Sequence, residues 1–338
     1  EDPYAAPCTS CHQAAALQGD TCVDCAQRDT FGARSPVGTH SRTPESVSLE
    51  QVSKRCGQEL KLAKDLGALA RLPKDRAKRN HLATIYADGN RVGQLFAGVT
   101  DAGAAVALSR AIEEAIQASG DEALEALVQL SRPGTLPGVV TVLAADDALI
   151  TVPAPFAWTF ALTLTRTFNA RMETDKRVAR ALEFGGHIPT LTAGIAFTHV
   201  KSPIEVAIQA ADSAMRLAKQ QKSGESAIGW VDLTHPGEEI SSLFALDWLN
   251  DNAALIDAFT DLPANQRSGW ERDIASAQAA GVPDPDILAF LQREVRRLAF
   301  TQLSVDKLGL DDILRLLSIS RWWPSTDSTQ ALSSEEAS

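Results

Sequence analysis

Hydrophobic and polar positions follow two different spacings along this chain, and together they indicate a mixed α and β protein. Short apolar, β-branched runs predict strands at Leu82–Tyr86, Val139–Leu143, Ala148–Val152, Thr190–Phe197 and Ala227–Val231. Apolar positions three and four residues apart predict helices over residues 49–72, 102–118 and 121–130, another after Pro155, and one from Ser202 to Lys219. The resulting order is β-α-α-β-β-α-β-α-β.

This order is typical of the α+β class, with a ferredoxin-like antiparallel sheet. We expect the sheet domain over residues 76–236, after a linker and helix at 28–75. Residues 237–324 show only helical spacing and predict a C-terminal helical bundle. Residues 325–338 predict a disordered tail.

Composition and charge exclude some functions. The chain has 338 residues and a net charge of −11, so it is not as a whole a non-specific nucleic-acid binder. Any such contact would be local or supplied by partner subunits. No apolar run is long enough to span a membrane, and no secretory signal opens the chain. The chain begins at Glu1 rather than methionine, which predicts a processed or truncated piece of a longer protein.

Two CxxC knuckles stand near the start of the chain. A tetrahedral zinc ion suits this spacing because each knuckle presents two thiolates to one metal. The alternative is a pair of disulfides in a secreted chain, which the lack of an export signal disfavours. We therefore expect a structural zinc ribbon over residues 1–27 and a reducing, cytoplasmic location. His12 is expected to be a bystander and Cys56 a core thiol. The expected zinc ligands are Cys8, Cys11, Cys22 and Cys25.

Three carboxylates follow the predicted strands. Asp88 ends the first strand and precedes a Gly89-Asn90 turn, while Asp146 and Asp147 lie in the loop of the predicted hairpin. If these strands pair, the carboxylates meet at one end of the sheet. Converging carboxylates favour Mg²⁺ that bridges nucleotide phosphates. Each motif alone also fits ordinary turn chemistry.

These motifs resemble the second palm domain of the large, cyclase-like subunit of type III CRISPR effector complexes. That family carries a strand ending in Asp-Gly-Asn and then a GGDD hairpin followed by a proline. The matching positions here are 88–90 and 144–147, with Pro153 after the second strand. Ala144 and Ala145 replace the two glycines. The family also places an alanine-lysine pair where this chain has Ala218 and Lys219.

The resemblance implies a nucleotidyltransferase that uses ATP and two Mg²⁺ or Mn²⁺ ions to make cyclic or linear oligoadenylate in antiviral defence. It implies Asp88 and Asp146 as metal ligands and Asp147 as a ligand or base. Lys219 is expected near the phosphates, or else is an ordinary cation at a helix C-terminus. The implied nucleotide-binding positions are Gly89, Asn90, Ala144, Ala145 and Lys219, with Asn90 on sugar or base and the Gly89 carbonyl on metal.

The two alanines and the single palm leave alternatives open. The methyl groups of Ala144 and Ala145 stand where the family lets a nucleotide approach the backbone, so active, weakened and binding-only forms all fit. Since the family binds two ATP molecules between two palms, this chain would need a partner palm or a homodimer. Other effector subunits and guide RNA are further implied partners, and no membrane contact is expected.

Three other functions compete with this interpretation. The first is a catalytically silent palm that scaffolds a guide-RNA complex. The second is a GGDEF-type diguanylate cyclase, which the sequence disfavours because Ala148 and Leu149 follow Asp147 where that group has Glu-Phe. The third is a zinc-ribbon adaptor for nucleic acid, which the acidic charge balance disfavours.

Overall fold

A six-stranded sheet is the centre of this computed structural model, which describes residues 43–74, 79–234, 240–297 and 308–324. The order across the sheet is β2-β3-β1-β4-β5-β6, so β1 lies inside it with partners on both edges. The strands are β1 (His81–Asn90), β2 (Val139–Ala144), β3 (Asp147–Pro153), β4 (Thr190–His199), β5 (Ala227–Asp232) and β6 (Ile240–Ala245). The prediction of a mixed α and β fold is confirmed, and the five predicted strands occur in the predicted order.

The pairing within the sheet differs from the sequence prediction in one place. The pairs β2–β3, β1–β3, β1–β4 and β5–β6 are antiparallel, but β4 and β5 run parallel. The expectation of an all-antiparallel sheet is therefore wrong. A helical crossover between β4 and β5 returns the chain to the end of the sheet where it started, and parallel neighbours need such a crossover.

Helices cover both faces of the sheet. They are α1 (Pro44–Cys56), α2 (Leu66–Ala70), α3 (Val92–Ala97), α4 (Ala102–Leu130), α5 (Ala157–Thr174), α6 (Lys176–Leu182), α7 (Ile204–Gln221), α8 (Leu246–Asp251), α9 (Ala253–Thr260), α10 (Ala264–Ala279), α11 (Asp284–Arg297) and α12 (Leu310–Ser320), with a 3₁₀ turn at Ala154–Phe156. No helix in the described part of the chain is both long and apolar enough to cross a membrane.

Alternate residues of β1 point to opposite faces, as strand geometry requires. Ala83, Ile85 and Ala87 are fully buried in the main core, together with apolar residues of α4 and α5. Tyr86 instead packs beside Ala211 of α7 on the other face. Asp88 follows Tyr86 by two residues, so it lies on the α7 face.

Two glycines explain why the predicted helices differ from the observed ones. The sequence predicted separate helices at 102–118 and 121–130, but α4 is continuous. Gly120 allows close packing against β2 and does not interrupt the helix. A Cβ atom at Gly120 would lie 2.8 Å from the Leu143 side chain of β2. The helix predicted over 49–72 ends at Cys56, where Gly57 adopts a positive φ of 63° and closes the helix. Cys56 is half-buried against the core.

The C-terminal part contains a strand that the sequence analysis missed. Helices alone were expected after residue 236, but β6 pairs along the whole of β5. Trp322 and Trp323 are buried, as expected for core anchors, and their indole N–H groups donate to Asp232 and Asp257. Three predicted segments lie wholly or mostly outside the described residues, namely the zinc ribbon at 1–27, the linker and the tail at 325–338. The helical bundle stays a prediction.

Candidate nucleotide-binding site at the end of the central strands

The strand pairing brings the carboxylates together at one end of the sheet. Asp88 of β1 lies directly opposite Asp147 of β3, and opposite Thr192 of β4 on its other side. Directly opposite residues of an antiparallel pair have Cβ atoms about 4.5–5.5 Å apart. The two carboxylates therefore start from neighbouring positions on the same face.

The tip of the hairpin is fixed to the Asp-Gly-Asn turn. The backbone N–H of Gly89 donates to the carbonyl oxygen of Asp146 at 3.1 Å. A Cβ atom at Gly89 would lie 2.8 Å from Oδ2 of Asp146 and 2.7 Å from Val92. The Asp146 carboxylate thus lies directly over the Gly89 backbone, and only glycine leaves room for it.

Lys219 reaches this end of the sheet from the last turn of α7. Its ammonium group forms an ion pair with Oδ2 of Asp88 and donates to the carbonyl oxygen of Gly89 at 2.8 Å. The side chains of Lys219 and Asp88 are 23% and 33% exposed, so the pair is half-buried. The ammonium contacts the same two oxygens that the resemblance implies as metal ligands.

Negative charge at this site exceeds the positive charge that balances it. Burial raises the pKa of Asp146, and the nearby Asp88 charge raises it further, while Lys219 acts in the opposite direction. Burial also raises the pKa of Asp147, again with contributions from Asp88 and Asp146. The three carboxylates are therefore balanced by the ammonium of Lys219 and, in part, by the guanidinium of Arg216, which also pairs with Asp212. Such a set of oxygen atoms favours an additional hard cation.

The oxygen atoms at this site suit Mg²⁺, which also takes phosphate and water ligands, better than they suit a metal ion coordinated by protein atoms alone. In the part of the chain that the structure describes, no group of three or more His, Cys, Asp or Glu side chains is arranged around a common metal position. Mg²⁺ is usually bound by one or two carboxylates together with substrate phosphates and water. Asp88 and Asp146 would supply those carboxylates, and the carbonyl of Gly89 would add a third oxygen.

The hairpin tip consists of two residues, one of which has an unusual backbone conformation. Ala144 pairs with Asp147, which leaves Ala145 and Asp146 as the turn. Ala145 adopts a left-handed conformation with φ of 54°, which costs a residue with a Cβ atom about 1–2 kcal/mol. The side chains of Ala144 and Ala145 are exposed at the tip. Their methyl groups face solvent beside the carboxylates.

Asn90 occupies a different environment from the one expected for a sugar or base contact. It is 5% exposed, and its Nδ2 donates to Thr190, Thr192 and the carbonyl of Glu225 at 2.8–3.1 Å. These hydrogen bonds fix the end of β1 to β4 and to the loop before β5. Asn90 therefore stabilises the strand ends that carry the site. Its contact with a nucleotide stays a prediction.

Comparison with known families gives a match to this part of the chain. The family model described as Cas10/Cmr2, second palm domain, matches residues 81–228, which include the three carboxylates and Lys219. This segment is similar to the second palm domain of the Cas10/Cmr2 family. A comparison with curated proteins gave no match.

Several solved structures are similar to this chain at low sequence identity. Csm1 from T. onnurineus is 15% identical with a TM-score of 0.48, over 78% of this chain and 37% of that chain. The apo Csm1–Csm4 cassette is 15% identical with a TM-score of 0.49, over 77% and 36%. A GGDEF domain from Pseudomonas aeruginosa is 22% identical with a TM-score of 0.31, over 50% and 90%. This chain spans little more than a third of the length of the two Csm1 chains.

The palm also contains polar residues that the sequence analysis did not single out. Asp212 and Arg216 precede the predicted Lys219 along one stripe of α7 at helical spacing, and this spacing could have identified them from the sequence. Arg216 pairs with Asp212 at 2.8 Å. The pKa of Tyr86 is raised by burial and then by Asp147, Asp212 and Asp88, so its hydroxyl lies within this charged group.

Proposed function

We propose that this chain is a nucleotide-binding palm protein of type III CRISPR-like defence, and that it converts ATP to cyclic or linear oligoadenylate. The observation that carries the proposal is the meeting of Asp88, Asp146 and Asp147 with the ammonium of Lys219. Excess carboxylate charge suits a ligand that brings both divalent ions and phosphates. The match of residues 81–228 to the second palm family model supports the same chemistry.

The protein's own groups have distinct tasks in this proposal. Asp88 and Asp146 hold Mg²⁺ or Mn²⁺, and Asp147 is either a further ligand or the base for the attacking hydroxyl. Divalent ions supply electrostatic stabilisation of the leaving pyrophosphate and lower the pKa of a ribose hydroxyl when bound. Lys219 exchanges its contact with Asp88 for a triphosphate oxygen, since ammonium groups are common phosphate ligands. Gly89 keeps the space in which Asp146 and the nucleotide meet.

Synthesis also requires partners. Two nucleotides must meet for an oligoadenylate to form, and this chain contains one palm that we can identify. We propose that a second palm comes from a partner subunit or from another copy of this chain. Other effector subunits and guide RNA complete the assembly in this proposal, and a structural zinc on the four N-terminal cysteines belongs to it as well.

A second candidate is a catalytically silent palm that acts as a scaffold. The methyl groups of Ala144 and Ala145 at the exposed tip favour it, because they narrow the approach to the carboxylates. A diguanylate cyclase has less support, since Ala148 is fully buried in β3 and offers no acidic side chain next to Asp147.

One experiment separates these functions. The purified chain, alone and with its partner subunits, is incubated with ATP or GTP and Mg²⁺ or Mn²⁺, and products are identified by mass spectrometry. We expect oligoadenylate from ATP, lost in Asp146→Asn and kept in Asp273→Asn, an exposed aspartate outside the site. Metal-dependent ATP binding without product supports the scaffold. No ATP binding under any of these conditions overturns both proposals.

A further inference from the structure

Arg91 directly follows the Asp-Gly-Asn turn and has a left-handed backbone with φ of 63°. Residues other than glycine rarely adopt this conformation, and those that do are concentrated at functional sites. Arg91 precedes the first residue of α3, but its side chain forms no capping hydrogen bond with that helix. The unusual backbone therefore holds an arginine side chain at the end of β1 for a reason other than helix capping.

The guanidinium of Arg91 lies against the backbone of Gly224, in the loop between α7 and β5. A Cβ atom at Gly224 would overlap Nε, Cζ and Nη2 of Arg91, so only glycine leaves this space. The same loop is joined to β1, because Nδ2 of Asn90 donates to the carbonyl oxygen of Glu225 at 3.1 Å. The loop thus places the Arg91 side chain before any ligand binds.

The charge of Arg91 has no protein partner within the described ranges. Its side chain is half-buried there and forms neither a hydrogen bond nor an ion pair, whereas Arg55, Arg171 and Arg177 each pair with a carboxylate. A guanidinium carries five N–H donors in a planar fork that matches the oxygens of a phosphate group. The unused donors of Arg91 therefore favour an anionic ligand.

Three groups lie in a row across this end of the sheet. The strand order β3-β1-β4-β5 puts the hairpin tip with Asp146 on one side of β1 and the loop before β5, with Arg91, on the other. Asp88 and Lys219 form their ion pair between them, at the end of β1. Neighbouring strands are about 4.8 Å apart, so the row suits an extended ligand with several charges. A chain of phosphates that starts at the carboxylates would pass Lys219 and then reach Arg91.

We propose that Arg91 binds the terminal phosphate of a nucleoside triphosphate whose other phosphates contact Lys219 and the divalent ions. This inference rests on the proposed function and adds the residue that distinguishes a triphosphate from a diphosphate. The terminal phosphate of ATP or of inorganic tripolyphosphate extends to Arg91, whereas a diphosphate ends at Lys219. Arg91 positions the substrate and transfers no proton, because a guanidinium stays protonated in proteins.

Calorimetric titration of the whole chain with ATP, ADP and inorganic tripolyphosphate, each with Mg²⁺, tests this assignment. Arg91→Gln should lower the affinity for ATP and for tripolyphosphate about tenfold to thirtyfold, as expected for a lost charged hydrogen bond. It should change the affinity for ADP by less than about twofold. Arg91→Lys keeps the charge without the planar fork and should retain part of the affinity. Arg110→Gln removes the same charge from an exposed position on α4 and should change none of the three.

Gly224→Ala is a second variant, which retains the charge of Arg91. Its methyl group would displace the guanidinium, so the affinity for ATP should fall about as far as in Arg91→Gln. Gly134→Ala is the matched control, because φ is 85° at Gly134 and 78° at Gly224, but no atom lies within 4 Å of a Cβ atom at Gly134. Both substitutions should lower the melting temperature through backbone strain, and only Gly224→Ala should change the affinity for ATP.

The possible results separate this inference from the proposed function. Arg91-dependent binding of tripolyphosphate without any oligoadenylate product supports the inference and contradicts synthesis. Product formation with equal ATP affinities in wild type and Arg91→Gln would overturn the inference and leave the proposed function intact. Equal losses for ATP and ADP would also overturn it, since Arg91 would then not contact the terminal phosphate. If the wild type binds neither ATP nor tripolyphosphate, both the inference and the proposed function are wrong.

Discussion

The backbone of Gly89 and the carboxylate of Asp146 occupy adjoining space at the end of the sheet. Their main chains share a hydrogen bond of 3.1 Å, and a Cβ atom at Gly89 would come within 2.8 Å of Asp146 Oδ2. The glycine therefore sets the position of a carboxylate that lies 57 residues further along the sequence. Substitutions at this end of the sheet should therefore change metal binding, nucleotide binding or stability.

Gly89→Ala should displace Asp146 and impair divalent-ion binding. The new methyl group would overlap both the carboxylate and Val92, so one of them must move. We expect a loss of about 1–3 kcal/mol in the free energy of unfolding and a Mn²⁺ affinity at least about tenfold lower. Chemical denaturation and Mn²⁺ electron paramagnetic resonance measure these quantities. Gly93→Ala is the control, because no atom lies within 4 Å of a Cβ atom there. Unchanged Mn²⁺ binding in Gly89→Ala would show that Asp146 does not need this space.

Ala145→Gly should stabilise the protein and open the nucleotide site. Ala145 has a φ of 54°, and glycine adopts this conformation without the Cβ penalty, so we expect a gain of about 1 kcal/mol. Removing the methyl group should also raise ATP affinity or turnover if the tip contacts the nucleotide. The matched control is Ala144→Gly in the paired strand, which should destabilise by roughly 0.5–1 kcal/mol. A stabilised Ala145→Gly protein with unchanged ATP binding would place the nucleotide away from the tip.

Part of this site followed from the sequence alone, and the rest depends on tertiary contacts. The hairpin and the first strand have strong β-branched signals, so the meeting of Asp88 with Asp147 could be predicted from strand pairing. The role of Gly120 could not be predicted. Glycine usually indicates the end of a helix, whereas here the absence of a side chain makes room for Leu143. Strand β6 was missed because Ser241 and Ser242 interrupt its apolar run, and pairing with β5 defines it.

Asp146→Asn should stabilise the folded protein at neutral pH. The pKa of Asp146 is raised by burial and by Asp88, so the folded state holds this proton at a higher pH than the unfolded state. The free energy of unfolding therefore falls as the pH rises from the ordinary value of 3.8 through the raised value. Neutral asparagine avoids this loss, and we expect a melting temperature higher by roughly 1–3 °C at neutral pH.

The pH series provides the check on that interpretation. The difference between wild type and Asp146→Asn should vanish in acid below 3.8, where the carboxyl is protonated in both states. Calorimetry across the acidic and neutral range measures it, with Asp273→Asn as the matched substitution at an exposed position outside the site. Lower stability of Asp146→Asn at neutral pH would mean that Asp146 is stabilised, not strained, by its surroundings.

The cysteine knuckles predict bound zinc in the purified chain. Elemental analysis should find about one zinc ion per chain, because four thiolates complete a tetrahedral site. Cys22→Ser should reduce the zinc content and lower the thermal stability of the N-terminal part, since such ribbons depend on metal for folding. Cys56→Ser is the matched control, because Cys56 packs against the core and should leave the zinc content unchanged. A metal-free chain with disulfides between the knuckles would support the secreted alternative.

Lys219→Met should affect metal and nucleotide binding in opposite directions. The ammonium contacts Asp88 Oδ2 and the Gly89 carbonyl, which are the oxygens proposed for a divalent ion. Without nucleotide, its removal should raise Mn²⁺ affinity about threefold to tenfold, because a competing cation is gone. With ATP, the loss of a phosphate contact should lower nucleotide affinity at least about tenfold. Lys222→Met, one turn further on, should change neither. If Mn²⁺ binds Lys219→Met no better than wild type, the ammonium and the metal do not share a position, and Lys219 is an ordinary cation at the end of α7.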